Sequence, residues 1–440
     1  MTADNDDKKG DGRGDFFAVE GAAWAKVCQR GSMNEAVAYL ALARGSHFGT
    51  RKTSWSVEAI ETRTNISRIR AKMALQSLVA SGLVRQLRAG TKPQYYLPTA
   101  YEIGNPDKPV VELSAKEDVI LFLVEAAGGS TVIPPTGTDK NGWPKGALLG
   151  IADGLVRKGK LYRPPHARHD YAIPPVKKEE PPKPEWTWLP NSIVDGIDGV
   201  APPIEQIRQT QEVAALRLFV DLYFAQSLAF NGGVHWRQVR VEYSKELVGQ
   251  SGIYDVWGFG PSVRRMWTKT PFIAAHMTGV DEVPEGSDYP RDTGVPVFWN
   301  ALANLERLGL VQIVPHIIDA DTDEGEVVHP YGIGIGEPEE QRIGRAAHYA
   351  GHALLNEEKS NAVADRGLVL APLHRHRAKS EMVGLVRTTH RARTTATSGW
   401  LSNTGQWSEW ADSYEEIKAK ASASEGLARS KGRKGGVQGK

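Results

Sequence analysis

Residues 54–98 read SWSVEAIETRTNISRIRAKMALQSLVASGLVRQLRAGTKPQYYLP, and their apolar spacing predicts a helix, a tight turn, a second helix and a β-hairpin. Val57 and Ile60 give a short first helix one buried face. Asn65-Ile66-Ser67 supplies a residue tolerant of positive φ, an apolar plug and an N-cap, which together make a turn. Ala71, Ala74, Leu75 and Leu78 recur at helical spacing on the second helix, so Arg68, Lys72 and Gln76 are expected on its opposite, outward side. Gly82 ends that helix, Leu83–Leu87 has strand character, Arg88–Pro93 makes a turn and Gln94–Leu97 returns.

The charge of the same region is one-sided. Between Arg44 and Lys92 stand ten basic residues against Glu58 and Glu61, a net +8 in a chain whose total is +2. An excess of that size on a small module is the electrostatic footprint of phosphate contact, with a basic face docking onto protein as the alternative. The whole pattern, over about residues 33–98, resembles the winged helix-turn-helix family. It departs from the family at Glu61, where a small residue is usual, and at Asn65, where the turn usually has glycine.

The resemblance implies duplex DNA as the partner, with the second helix in the major groove and the hairpin, or wing, along the backbone or minor groove. Carried onto this chain, it makes Ser67, Arg68, Arg70, Lys72, Gln76, Arg88 and Lys92 the candidate DNA-binding residues. Arg68, Lys72 and Gln76 are expected to reach base edges, and Arg70, Arg88 and Lys92 to hold phosphates.

A chain of 440 residues holds about two to four domains. Hydrophobic content of 40% and charged content of 24% are those of an ordinary globular protein. No apolar run approaches the ~20 residues of a membrane span, so no membrane partner and a cytoplasmic location are expected. Residues 1–29, opening MTADNDDKKGDGRGD, read as a disordered leader without an apolar signal core. The single cysteine, Cys28, excludes an internal disulfide and a cysteine-built zinc finger.

Residues 110–172 suggest a small α+β unit or a degenerate winged helix, with helices over 115–126 and 145–156. Residues 173–185, IPPVKKEEPPKPE, cannot pack a core and are expected to be the linker between domains. Residues 186–420 then form a C-terminal helical domain, opened by the anchors Trp186, Trp188 and Leu189 and built around one long helix over 204–230. Within it, LANLERLGLV followed by strand, turn and strand echoes LQSLVASGLV in the first module, which suggests a second winged helix at about 204–335. Its turn, Asp319–Glu326, is acidic and would repel phosphate, so a protein partner is expected there.

Residues 232–295 read as a long irregular loop in which Trp236, Trp257, Phe259 and Trp267 alternate with basic residues. They are either base-stacking or, more commonly, packing anchors. Residues 366–393 carry seven basic residues against Glu381, a second candidate phosphate surface, and 421–440 read as a disordered basic tail. The stretches Trp188–Asn191, Asp221–Tyr223, Val256–Phe259 and His329–Gly332 give this half a resemblance to uncharacterised proteins of bacterial phages and integrative elements, which brings no known chemistry.

No catalytic or metal-binding set emerges. Asp319, Asp321, Asp323 and Gly325 begin like a calcium loop, but glycine is one place late and Pro330 stands where the loop needs a glutamate. His374, His376 and His390 lack neighbouring ligands at zinc spacing, and Gly332-Ile333-Gly334-Ile335-Gly336 is followed by acids that would oppose a phosphate. The expected fold is thus mainly α with small β-hairpins, an α+β chain with an N-terminal winged helix-turn-helix and a larger helical domain. The expected function is non-enzymatic and without cofactor: a transcriptional regulator of a mobile element, able to act as a homodimer. The alternatives are a replication initiator with tandem winged helices and a DNA-tethered adaptor for protein partners.

Overall fold

The structure, a computed structural model, describes residues 15–105, 115–133, 145–158, 160–164, 169–173, 183–197, 200–227, 232–239, 241–265, 270–276, 295–319, 326–377, 379–391 and 404–434. Its internal contacts divide the chain into two units, Met1–Arg208 and Gln209–Lys440. The class is mixed α+β.

The first unit opens with β1 (Phe16–Glu20), α1 (Gly21–Arg30) and α2 (Met33–Arg44), followed by β2 (Lys52–Thr53), α3 (Val57–Thr64) and α4 (Arg68–Ala80). β3 (Arg85–Arg88), β4 (Gln94–Tyr96) and α5 (Ala100–Gly104) complete this part. α2 is buried along nearly its whole length, from Ala36 to Ala43, and α3 and α4 pack on it through Ile60, Ala71, Leu75 and Leu78. The turn between α3 and α4 is closed by Asn65 at φ 52°, ψ 27°, the left-handed region that an asparagine tolerates in place of glycine. Ile66 plugs the space below it and is buried. β2, β4 and β3 form an antiparallel three-stranded sheet in the order β2-β4-β3.

Two expectations fail in this unit. The expected leader spans 1–29, but 16–30 form β1 and α1, whose Phe17, Val19, Ala23, Trp24 and Val27 are buried. Their alternating and helical spacing marks them as ordered; residues 1–14 lie outside the described residues. The expected domain break is at 173–185, of which 174–182 lie outside the described residues. The chain instead returns to the first unit, where β7 (Trp186–Pro190) pairs antiparallel with β1 in register Phe16↔Pro190 to Glu20↔Trp186. A proline-rich segment cannot build a core, but its composition says nothing about where the next strand docks.

Between these parts lie α6 (Ala115–Ala126), β5 (Ser130–Val132), α7 (Lys145–Arg157) and β6 (Asp170–Ala172), a small α+β group with its own core of Ile120, Val124, Leu148, Leu155 and Tyr171. α8 (Ser192–Asp195) and α9 (Pro203–Thr210) follow β7.

The second unit is built on a sheet that sequence reading did not anticipate. After α10 (Val213–Ala225), β8 (Gln226–Ser227) and β9 (Gly233–Val234) come β10 (Val241–Ser251) and β11 (Tyr254–Arg265), a long hairpin inside the segment read as irregular loop. α11 (Pro271–Ala275), α12 (Val295–Arg307), β12 (Val311–Asp319), β13 (Glu326–Pro330), α13 (Pro338–Ala353), α14 (Glu357–Asp365), β14 (Val369–His374), β15 (Glu381–Thr388) and α15 (Thr404–Lys434) complete it. Six strands form one antiparallel sheet in the order β13-β12-β15-β10-β11-β14. One cluster joins Ile317, Met382, Ala371 and Leu373 of the sheet to Ile343, Ala347 and Ala350 of α13 and Ala411, Tyr414 and Ile417 of α15.

This architecture corrects several expectations. The helix over 204–230 is two helices broken at Gln211, whose φ is 60°. The helix and two strands of the second pattern are present as α12, β12 and β13, but β12 and β13 are edge-side strands of the six-stranded sheet and not part of a small separate domain. The acidic turn at 320–325 lies outside the described residues. Residues 421–434, expected as disordered tail, continue α15. No helix among the described residues is long and apolar enough to cross a membrane.

Candidate nucleic-acid interface

α4 presents most of its exposed residues along one side. Its buried residues are Ala71, Ala74, Leu75 and Leu78. At 3.6 residues per turn, the line opposite them runs through Ile69, Met73, Gln76 and Ala80, all exposed. Arg68 and Lys72 lie on one flank of that line, and Arg70 and Ser77 on the other. The structure therefore places Gln76 near the centre, as expected, but moves Arg68 and Lys72 to the side. The sequence pattern was read as two faces, whereas a helix with four buried positions leaves a broad exposed arc whose middle and edges differ.

Ser67 occupies the N-cap position of α4 and is exposed; its carbonyl accepts from the Ala71 amide at 2.9 Å. Arg68 meets Glu61 at 3.4 Å, an exposed contact worth about 0–1 kcal/mol and easily exchanged. Glu61, the residue that departs from the winged-helix pattern, is thus half-exposed at the rim and not wedged between helices. The first turn of α4 has no acidic residue of its own, and the carboxylate beside it is Glu61, on Arg68.

The hairpin tip holds the remaining candidates. Arg88 Nε donates to the Lys92 carbonyl at 2.7 Å and closes the turn, while Gly90 takes φ 102° there. Both Arg88 and Lys92 are exposed. The base of the hairpin is fastened by Glu102 of α5. Its carboxylate takes bidentate hydrogen bonds from Arg51 at 2.6 and 3.0 Å and one from the Tyr96 hydroxyl at 2.8 Å, and its carbonyl accepts from Arg85 at 2.7 Å. Burial pushes the Glu102 carboxyl upward, but Arg51, the Thr99 hydrogen bond and Tyr96 outweigh it and hold the group below its ordinary range. The tip is thereby held from a charged staple at its root.

Several cations counted along 44–92 serve the fold. Asp195 takes Arg44 at 2.8 Å and Arg63 at 3.3 Å, and the Arg63 guanidinium lies 3.7 Å from the centre of the Trp55 ring. A side-chain carbon at Gly45 would fall 2.2 Å from that ring, which requires glycine there. The excess of +8 is therefore partly neutralised by Glu102 and Asp195, acids outside the counted window. What stays at the surface is concentrated on α4 and the hairpin tip.

The described residues of the other candidate surfaces lie within the second unit. Trp236 and Phe259 are buried, and Trp257 carries Lys245 Nζ at 3.9 Å over its ring, so these aromatics pack; Trp267 lies outside the described residues. Within 366–393, Arg366 pairs with Glu246, Arg375 with Asp255, and Arg391 with Glu337, and Arg387 is fully buried against Glu340. Among the described residues of that stretch these four cations are held in ion pairs, and Arg393 lies outside the described residues. Arg387 Nη1 donates to both Glu340 oxygens at 2.7 and 2.8 Å, and Nη2 meets His316 Nε2 at 2.9 Å.

His374 and His376 face each other with ring centres 4.3 Å apart, while the His390 carbonyl accepts from the Tyr223 hydroxyl. Among the described residues no group of three or more His, Cys, Asp or Glu is arranged to hold a metal. The Gly332–Gly336 loop packs against α13, where a side-chain carbon at Gly344 would fall 2.3 Å from the Gly332 carbonyl. Glu340 caps the Glu337 amide at 2.7 Å, occupying the helix start with a carboxylate. Cys28 is half-buried on α1. No protein-family model, curated protein or solved structure matches the chain.

Proposed function

We propose that the first unit binds duplex DNA as a winged helix-turn-helix, with α4 in the major groove and the β3–β4 hairpin as the wing. The observation that carries this reading is the disposition of charge: Arg68 and Lys72 on one flank of the exposed arc of α4, Arg70 on the other, and Arg88 and Lys92 at the hairpin tip. An α-helix about 10–12 Å across fits a major groove about 12 Å wide. Seated there, flanking cations face the two phosphate backbones while the middle of the arc faces base edges. Ser67 sits at the entry of the helix, beside the backbone, and Gln76 is placed to bond an adenine edge.

Control of transcription, the commonest setting of such a module, follows by fold analogy. Replication initiation is the alternative reading; β12 and β13, on which its second winged helix at about 204–335 is drawn, belong to a six-stranded sheet. The test is binding of the full chain to random-sequence duplex with selection and sequencing. Enrichment of one motif is the expected result. Absence of binding even at low salt overturns the reading and moves the module to a protein-docking role.

A further inference from the structure

The middle of the exposed arc of α4 is apolar. Ile69 is 76% exposed and Met73 64% exposed, one helical turn apart, with Ala80 in line beyond them. Among the described residues of the first unit these are the most exposed large hydrophobic side chains, and they stand among Arg68, Arg70 and Lys72. Two neighbouring apolar side chains left in water on a helix of four buried residues serve no core.

Building on the reading of α4 as a major-groove helix, we infer that Ile69 and Met73 are specificity-determining residues that contact the C5-methyl groups of thymines. Apolar side chains offer no hydrogen bond to guanine or cytosine edges, and the thymine methyl is the one apolar group on the major-groove floor. Charge complementarity selects this occupant over an apolar protein surface: a partner covering Ile69 and Met73 would also have to cover three cations, which a pair of phosphate backbones neutralises. Gln76, next along the same arc, adds an adenine contact, so the preferred site is rich in A·T pairs with a thymine under each of the two apolar side chains.

The experiment uses the full chain and the duplex pool enriched from random sequence, re-amplified with dUTP in place of dTTP. Uracil keeps every hydrogen-bonding group of thymine and lacks only the methyl. The expected result is a weakening of about fourfold for each methyl lost from contact, with the Ile69→Ala/Met73→Ala variant insensitive to the exchange. Lys92→Ala should weaken both pools alike. Both substituted side chains are exposed, and unchanged thermal unfolding of the variant establishes that it is folded. Equal affinity of the wild type for thymine and uracil pools overturns the inference while leaving DNA binding intact, as does binding without enrichment. Concentration-dependent dimerisation lost in the double variant, with no uracil effect, overturns it in favour of a self-association seam. Failure to bind any duplex overturns instead the reading on which it rests.

Discussion

Lowering the pH should destabilise the second unit through His329. This residue of β13 is buried, with its ring 4.8 Å from that of Trp410 on α15. Its Nδ1 donates to the Pro330 carbonyl at 2.8 Å, which in the neutral ring leaves Nε2 to accept from the Tyr414 hydroxyl at 2.9 Å. Burial first, and then the nearby Arg377, depress its pKa from 6.5 to about 4. As pH falls, the unfolded chain takes up the proton near 6.5 and the folded chain only near 4. Stability is therefore complete above 6.5 and drains away between 6.5 and 4.

The loss is about 2 kcal/mol between about pH 7.5 and pH 5, and about 3 kcal/mol once both states are protonated. His329→Gln keeps a donor and an acceptor but cannot titrate. Urea unfolding followed by tryptophan emission, compared between wild type and variant so that the first unit's contribution cancels, should show the variant's pH dependence flatter by about 1 kcal/mol per pH unit near pH 5. Identical slopes in the two proteins would refute the reasoning, because His329 would then titrate in the fold as it does in the unfolded chain.

Two further perturbations test the frame on which this rests. Arg387→Met strands the fully buried Glu340 carboxylate and should cost about 3–5 kcal/mol in urea unfolding, with Glu340→Gln added to it restoring part of the loss; additive costs would show that the pair does not interact. At Asn65, with φ 52°, replacement by glycine should be nearly neutral and by alanine should cost about 1 kcal/mol, read as the unfolding midpoint of the first unit. Equal effects of glycine and alanine would show that the turn is not left-handed.

How far the sequence revealed the structure differs between the two units. In the first, local signals agree with one another: Ile60, Leu75 and Leu78 have helical spacing, Asn65 suits a left-handed turn, and Gly82 ends α4 at φ 73°. These are short-range effects, and the elements from 57 to 96 stand within one or two residues of expectation. The β1–β7 pairing joins residues about 170 positions apart, and no local pattern encodes such a partner. In the second unit, Val241–Ser251 has Lys245, Glu246 and Gly249 within a strand, and their polar character hid it.

The candidate site was legible in type and less so in arrangement. Arg88 and Lys92 were recognisable from their place in a turn, and both lie at the exposed hairpin tip. The four inward residues of α4 are the ones their spacing predicts, and the displacement of Arg68 and Lys72 from the centre follows from the angular steps around that face, which a division into two faces does not resolve. Ile69 and Met73 were missed because apolar residues on a helix are ordinarily assigned to its core. The signal was present, since both fall opposite Ala71, Leu75 and Leu78 on a helical projection.

The central claim, that α4 and the hairpin tip hold DNA phosphates, is tested most directly by the salt dependence of full-chain binding to a random-sequence duplex, measured for wild type, Arg70→Ala and Lys92→Ala. The account predicts a steep linear fall of log K with log salt in the wild type, and a slope smaller by about one in each variant. Wild-type and variant slopes that coincide, or no binding at the lowest salt, would contradict it.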